Sequence, residues 1–191
     1  MKRTIGLLKI GEINQSILFK LRKNLKKSFI GVNFSIRIIQ EAIPLDIVDY
    51  NPNRKQYNAS KLLTKIIYNF QNSQIFRILG VIDEDIYTKT LNFVFGLAIN
   101  PKIRDTEIPI AALISVARLR ESFYRRAENN VVFKQRLLKE AIHELGHTLG
   151  LKHCNNFCIM RFSNTLIDTN NKPSKFCESC QKKLNVFCKN F

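Results

Sequence analysis

The chain has 191 residues, 45% of them hydrophobic, with 7 glycines and 5 prolines, which suits one domain, or one domain with a small appended lobe. No apolar run reaches the roughly 18 residues of a membrane span, and neither internal repeats nor low-complexity tracts occur. Lys and Arg number 31 against 15 Asp and Glu, a net charge of +16; the bases are dispersed and no nucleic-acid-binding motif accompanies them, so no membrane or nucleic-acid partner is expected.

Thr4 to Lys9 reads as the first strand. Met1 to Gly11 starts basic, but Lys9 breaks its apolar run, which is too short for a secretory signal. No pro-segment precedes this strand, so latency through a propeptide cysteine is not expected. Ile13, Ile17, Leu21 and Leu25 form a helical stripe, with Lys20, Arg22, Lys23, Lys26 and Lys27 mostly solvated. Asn33 to Ile39 is a second strand and Ala59 to Phe70 a second helix. Phe76 to Ile82, Asn92 to Ile99 and Ile110 to Arg118 are further strands. This order predicts an α/β fold, a mixed sheet backed by helices.

A third helix follows. Asn129 and Asn130 are its N-cap candidates, and Leu137, Leu138, Ala141, Ile142, Leu145 and Leu149 make a 3.6-period apolar stripe. Gly146 inside it costs about 1 kcal/mol relative to Ala. Close approach by a strand or by substrate is one reason to keep it there; simple tolerance is the other.

This helix carries HELGHTLGLKHC, from His143 to Cys154, which contains all 3 histidines of the chain. His143 and His147 lie one turn apart on one face. Gly150 ends the helix and lets the chain bend back to bring His153 to the same point. Three neutral imidazoles with one open position are the ligand set of a catalytic zinc. Such a zinc lowers the pKa of its water from about 16 toward roughly 7. Glu144, next to a ligand but not itself on the metal, is placed to take the water's proton and pass it to a leaving amine. These are the mechanics of HExxH hydrolases, extended here to the metzincin pattern. The short motif also arises by chance in helices whose histidines are solvated or packed. Gly150 and His153 at the required positions set this chain apart.

All 5 cysteines lie in the last 38 residues. Cys154 and Cys158 form one close pair, and Cys177 and Cys180 a C-x-x-C pair. Two such pairs joined by a loop match a structural zinc site with four thiolate ligands. Disulfides are the competing reading. Without an export signal the compartment is expected to be the reducing cytoplasm, where thiols persist. Cys188 is left over as a free thiol. Because Cys154 follows His153 directly, the thiolate site would anchor the loop that presents the third histidine.

The combination of HELGHTLGLKHC, Cys158-Ile159-Met160 and Cys177-Glu178-Ser179-Cys180 resembles the archaemetzincin family. The resemblance implies zinc-dependent peptide hydrolysis, with His143, His147 and His153 on the catalytic zinc and Glu144 as general base. It implies Cys154, Cys158, Cys177 and Cys180 on a structural zinc, hence two Zn²⁺ per chain. Met160 would be the Met-turn residue beneath the catalytic zinc. The fold implied is a metzincin-like twisted mixed sheet with backing helices and an active-site helix. Residues 1–150 would form an N-terminal α/β subdomain and residues 151–191 a zinc-bound C-terminal subdomain, together one catalytic unit. Both cysteine loops are one residue shorter than the family's common spacing, which leaves ligand identity intact and the local path of the loop open. In such a fold a rim strand pairs with extended substrate, and Asn92 to Ile99 is the candidate, with an ordinary inner strand as the alternative. The expected partner is a peptide substrate and the expected state a monomer. The rival readings are a zinc-stabilised binding protein without catalysis and a basic nucleic-acid-binding zinc protein.

Overall fold

Two strands, Arg77–Ile82 (β5) and Ile110–Ser115 (β8), show no alternation of polar and apolar residues, and both are buried along their whole length. Parallel strands covered on both faces read this way. They sit inside a five-stranded sheet with Arg3–Ile10 (β1), Phe34–Ile43 (β2) and Gly96–Ala98 (β7), in the order β2-β1-β5-β8-β7. The first four are parallel; β7, at one edge, runs antiparallel to β8 with Leu97 opposite Leu113. This computed structural model describes residues 3–29, 32, 34–101 and 110–189.

Alternate side chains of the sheet feed two cores. Ile5, Leu7, Leu79, Val81, Ala112 and Ile114 pack under Gln15–Ser28 (α1) and Asn130–Thr148 (α3). Leu8, Ile10, Ile78, Ile82, Ala111 and Leu113 pack under Ala59–Phe70 (α2), whose limits are those its sequence predicts. Asn14 caps α1 by accepting from the Ser16 amide at 2.9 Å, and Asn58 caps α2 in the same manner. The α1 stripe of Ile17, Leu18, Leu21 and Leu25 is buried, while Lys20, Lys23, Lys26 and Lys27 face solvent. Arg22 reaches sideways instead, donating from Nε to the Ile36 carbonyl of edge strand β2 at 2.9 Å.

The mixed α/β fold is as expected; the expected elements differ at their limits, and further elements join them. Asn33 lies outside the described residues, and β2 extends past Ile39 to Ile43. A register shift makes this possible: Leu7 pairs with Ile38 but Lys9 with Ala42, so exposed Gln40 and Glu41 fall in a bulge. The strand predicted to reach Arg118 stops at Ser115, whose hydroxyl donates to the Glu84 carbonyl at 2.6 Å. A 3-10 turn then covers Ala117–Leu119. Of the strand predicted from Asn92 to Ile99, the part from Phe95 to Ile99 bonds to β8: β7 forms the ladder, the Ser115 amide donates to the Phe95 carbonyl at 2.9 Å, and the Ile99 amide donates to the Ala111 carbonyl at 3.0 Å.

Further elements were not anticipated; the short ones carry no periodic signal, whereas Cys180, Leu184, Phe187 and Cys188 do share a helical face. Tyr50–Asn51 (β3), Gln56–Asn58 (β4) and Ile86–Tyr87 (β6) make a small sheet beside the main one. Leu166–Asn171 (α4) and Glu178–Lys189 (α5) complete the chain. Cys158, Ile159, Met160, Cys180 and Leu184 of the C-terminal segment are buried in the same core as α1 and α3. No helix among the described residues is long and apolar enough to cross a membrane.

The turn out of α3 depends on a glycine. Gly150 has φ +82°, and its amide donates to the His147 carbonyl at 3.0 Å. A side chain at this φ costs about 1–2 kcal/mol. Gly150→Ala is expected to lower the melting temperature by roughly 2–8 °C, as calorimetry would read it.

Candidate active site and metal centres

Helix α3 runs 19 residues from its cap, where the Asn129 side chain accepts from the Val131 and Val132 amides at 3.1 Å. Its last turns carry His143, Glu144 and His147, and the Gly150 turn returns the chain with His153. The ligand nitrogens of the three histidines lie within 4.8 Å of one another.

Two backbone carbonyls decide which nitrogens face inward. His143 Nδ1 is 2.9 Å from the Ile159 carbonyl, and His147 Nδ1 is 2.8 Å from the Leu151 carbonyl. A carbonyl accepts only, so each Nδ1 carries the proton and each Nε2 is left with a bare lone pair. Those two Nε2 atoms stand 3.2 Å apart. Two acceptors that close repel unless a cation lies between them. Zn–N bonds of about 2.0–2.1 Å put tetrahedral N···N edges at roughly 3.3–3.4 Å, so the spacing fits a zinc ion. Burial, the largest cause in each case, pushes all three imidazole pKa values down and keeps the rings in the neutral, ligating form.

Glu144 is buried beside them, with 6% of its surface exposed. Without a cation at the imidazoles, burial first and Glu140 second raise its carboxyl to about 8. Glu140, one turn earlier, is held by the Lys172 ammonium at 2.9 Å and by the Thr169 hydroxyl at 3.1 Å. Neither Glu140 nor Lys172 stands out in the sequence, because the pair closes over a gap of 32 positions with no spacing rule to mark it.

Gly96 of β7 is a third residue that sequence reading missed. A Cβ there would sit 2.6 Å from Glu144 Cγ and 2.7 Å from its Oε1. A lone glycine inside a predicted strand is the available signal for such a close approach. The carboxylate arm can give way, so Gly96→Ala is expected to fold and keep its zinc. Displacing the carboxylate by even about 1 Å is expected to lower kcat roughly 10–100-fold in a peptide-hydrolysis assay.

Gly146 has a packing reason, though neither strand nor substrate supplies it. A Cβ there would collide with Met160 Sδ. The thioether of Met160, fully buried, therefore lies against α3 between the turns that carry His143 and His147.

The second cluster joins Cys154, Cys158, Cys177 and Cys180, with sulfurs also within 4.8 Å of one another. Cys154 and Cys177 sulfurs are 3.8 Å apart. That exceeds a disulfide bond of about 2.05 Å and equals the roughly 3.8 Å edge of a tetrahedron with Zn–S bonds of about 2.3 Å. Amides point at the sulfurs: Cys177 N donates to Cys158 Sγ at 3.2 Å and Met160 N at 3.4 Å. A hydrogen bond from the Cys180 amide is the main cause that holds the Cys177 thiol down at about 6, whereas burial pushes Cys158 and Cys180 up. Cys188 stands apart from the four, with its thiol pushed up by burial.

A cavity of about 560 Å³ opens in front of the imidazoles. Its walls are the segment around β7, the rim from Thr88 to Leu91, and Phe162 to Asn164. The rim is braced from below, where Gln56 Nε2 donates to the Asn92 carbonyl and to Asp85, both at 2.9 Å.

The family model described as peptidase family M54 matches residues 5–186. The archaemetzincin of Methanocaldococcus jannaschii is 44% identical over 176 residues, 92% of this chain and 89% of that protein. A crystal structure of the archaemetzincin from Archaeoglobus fulgidus, complexed with malonate, superposes with a TM-score of 0.75 at 34% identity, covering 94% of this chain and 99% of that one. That of a zinc-dependent peptidase from Methanocorpusculum labreanum gives 0.80 at 29% identity, covering 95% and 100%.

Proposed function

This chain belongs to peptidase family M54, the archaemetzincins, and is a zinc metallopeptidase; on that premise we propose that Glu144 is its general base and that His143, His147 and His153 hold the catalytic zinc. Cys154, Cys158, Cys177 and Cys180 hold a second, structural ion, for two per chain. The observation that carries this reading is the pair of bare Nε2 atoms 3.2 Å apart, beside a buried carboxyl and facing an open cavity.

The three nitrogens would hold a zinc ion that would supply an acidified water and polarisation of the substrate carbonyl. The rest falls to the chain's own groups. The Glu144 carboxylate takes the water's proton and delivers it to the departing amine. The Ile159 and Leu151 carbonyls keep His143 and His147 in the ligating tautomer. Gly96 leaves room for the carboxylate, and Met160 supports the helix from beneath as the Met-turn residue. Strand β7, bonded to β8 on one side, offers its other edge to an extended peptide. The four clustered thiols agree with a reducing, cytoplasmic setting.

A non-catalytic zinc protein is the weaker reading, because a structural site has no use for a carboxylate at Glu144. Mass-spectrometric profiling of a peptide library tests the proposal. Zinc-loaded parent is expected to cut and Glu144→Ala is not; a parent that cuts no peptide sinks it.

A further inference from the structure

The cavity at the imidazoles does not end there. A second hollow of about 690 Å³ shares Thr90, Leu91, Phe93 and Asn164 with it, so the two form one continuous groove. Leu91, Phe93, Leu166 and Ile167 line the extension, and Leu91 and Ile167 are 41% and 67% exposed. Large apolar side chains left open beside a catalytic cleft mark a binding surface.

The charged groups at the far end are already paired. Arg118 makes two 2.7 Å bonds to Asp85. Its guanidinium also stacks 4.1 Å from the centre of the Phe93 ring. Arg126 pairs with Glu121 at 2.5 Å, and the Tyr124 hydroxyl donates to the Arg118 carbonyl at 3.1 Å. A charged side chain entering here would lose water and find its countercharges taken. An apolar side chain loses nothing and covers exposed carbon.

The wall is also held in place. Arg136 Nε bonds Asn170 Oδ1 at 2.7 Å, and Lys139 Nζ reaches the Asn170 carbonyl at 2.7 Å. With the Thr169–Glu140 bond, these fasten α4 to α3, so the groove is preformed and binding orders little.

We propose that this extension is a remote specificity subsite that holds a bulky apolar or aromatic side chain of the peptide, several residues from the scissile bond. The inference rests on the peptidase reading and deepens it, since it makes extended apolar peptides the preferred substrate class.

The test is equilibrium binding, so that it does not depend on turnover. Zinc-loaded Glu144→Gln protein is titrated into fluorescein-labelled decapeptides of alanine and glycine, with one Phe walked along the sequence. Phe at one or two adjacent positions is expected to tighten binding about tenfold over the Phe-free peptide, the effect of burying most of one aromatic side chain. In this background Ile167→Asp and Leu91→Asp are each expected to shrink that gain to within about twofold. Ile47→Asp, at an exposed apolar residue outside the groove, is expected to preserve it. Zinc content and melting temperature confirm that each variant is folded. The proposal is overturned if no Phe position tightens binding, or if the gain survives both groove substitutions. It is equally overturned if Ile167→Asp abolishes self-association in sedimentation and leaves peptide binding unchanged, which would make the groove a contact between two copies. Failure of the peptidase reading looks different: peptides bind the groove, and zinc-loaded parent cuts none of them.

Discussion

Glu144→Ala is expected to lower kcat/KM for peptide hydrolysis about 10²–10⁴-fold, the usual contribution of one positioned general base. Zinc content should not change, because this carboxylate is not one of the converging ligand atoms. A variant that lost zinc in parallel with activity would make Glu144 a structural residue instead. The same side chain governs a pH effect in metal-free protein. Its carboxyl is raised to about 8 by burial, above the ordinary 4.5. Between those two pH values the unfolded chain has released this proton and the folded chain retains it. Stability of metal-free parent therefore declines as pH rises through that window and levels off above it. Glu144→Gln, which cannot ionise, is expected to lack this component. Urea titrations of the two metal-free proteins at pH 5 and pH 8 compare them directly; equal declines would contradict the burial argument.

Cys177→Ser is expected to cost more than about 4 kcal/mol, the range reached when a structural metal is lost. For a chain of this size that is roughly 8–16 °C in melting temperature. The C-terminal segment has few buried apolar residues of its own, and α5 contributes two, Cys180 and Leu184. Its sulfur cluster supplies the missing constraint, since binding a structural metal is itself folding free energy. Loss should also spread to the other centre. Cys154 and His153 share a peptide bond, and the Cys154 amide donates to the Met160 carbonyl at 3.0 Å. Loosening this loop frees the third imidazole and lowers occupancy of the histidine site. Metal analysis of the variant should show less than half the parental zinc. Cys188→Ser, outside the cluster, is the comparison and should leave zinc content at the parental level. An unchanged melting temperature and zinc content in Cys177→Ser would refute the coupling.

Much of the candidate site was legible because its spacing is local. An α-helix repeats every 3.6 residues, so His143 and His147 had to share a face once α3 was recognised. A glycine after the last apolar residue announced the turn at Gly150, and paired cysteines announced a cluster. Strands β5 and β8 and helix α2 were legible as local segments, α2 at the limits observed.

What the tertiary structure alone decided is long-range. The contact of Gly96 with Glu144, the pairing of Lys172 with Glu140, and the seat of Met160 on Gly146 join residues that no period connects. The same holds for the bulge that carries β2 to Ile43 and for the brief pairing of β7. Chain order placed the ligands because helical pitch is a property of the backbone. It could not place the wall of the groove, because packing depends on which side chains meet across the fold.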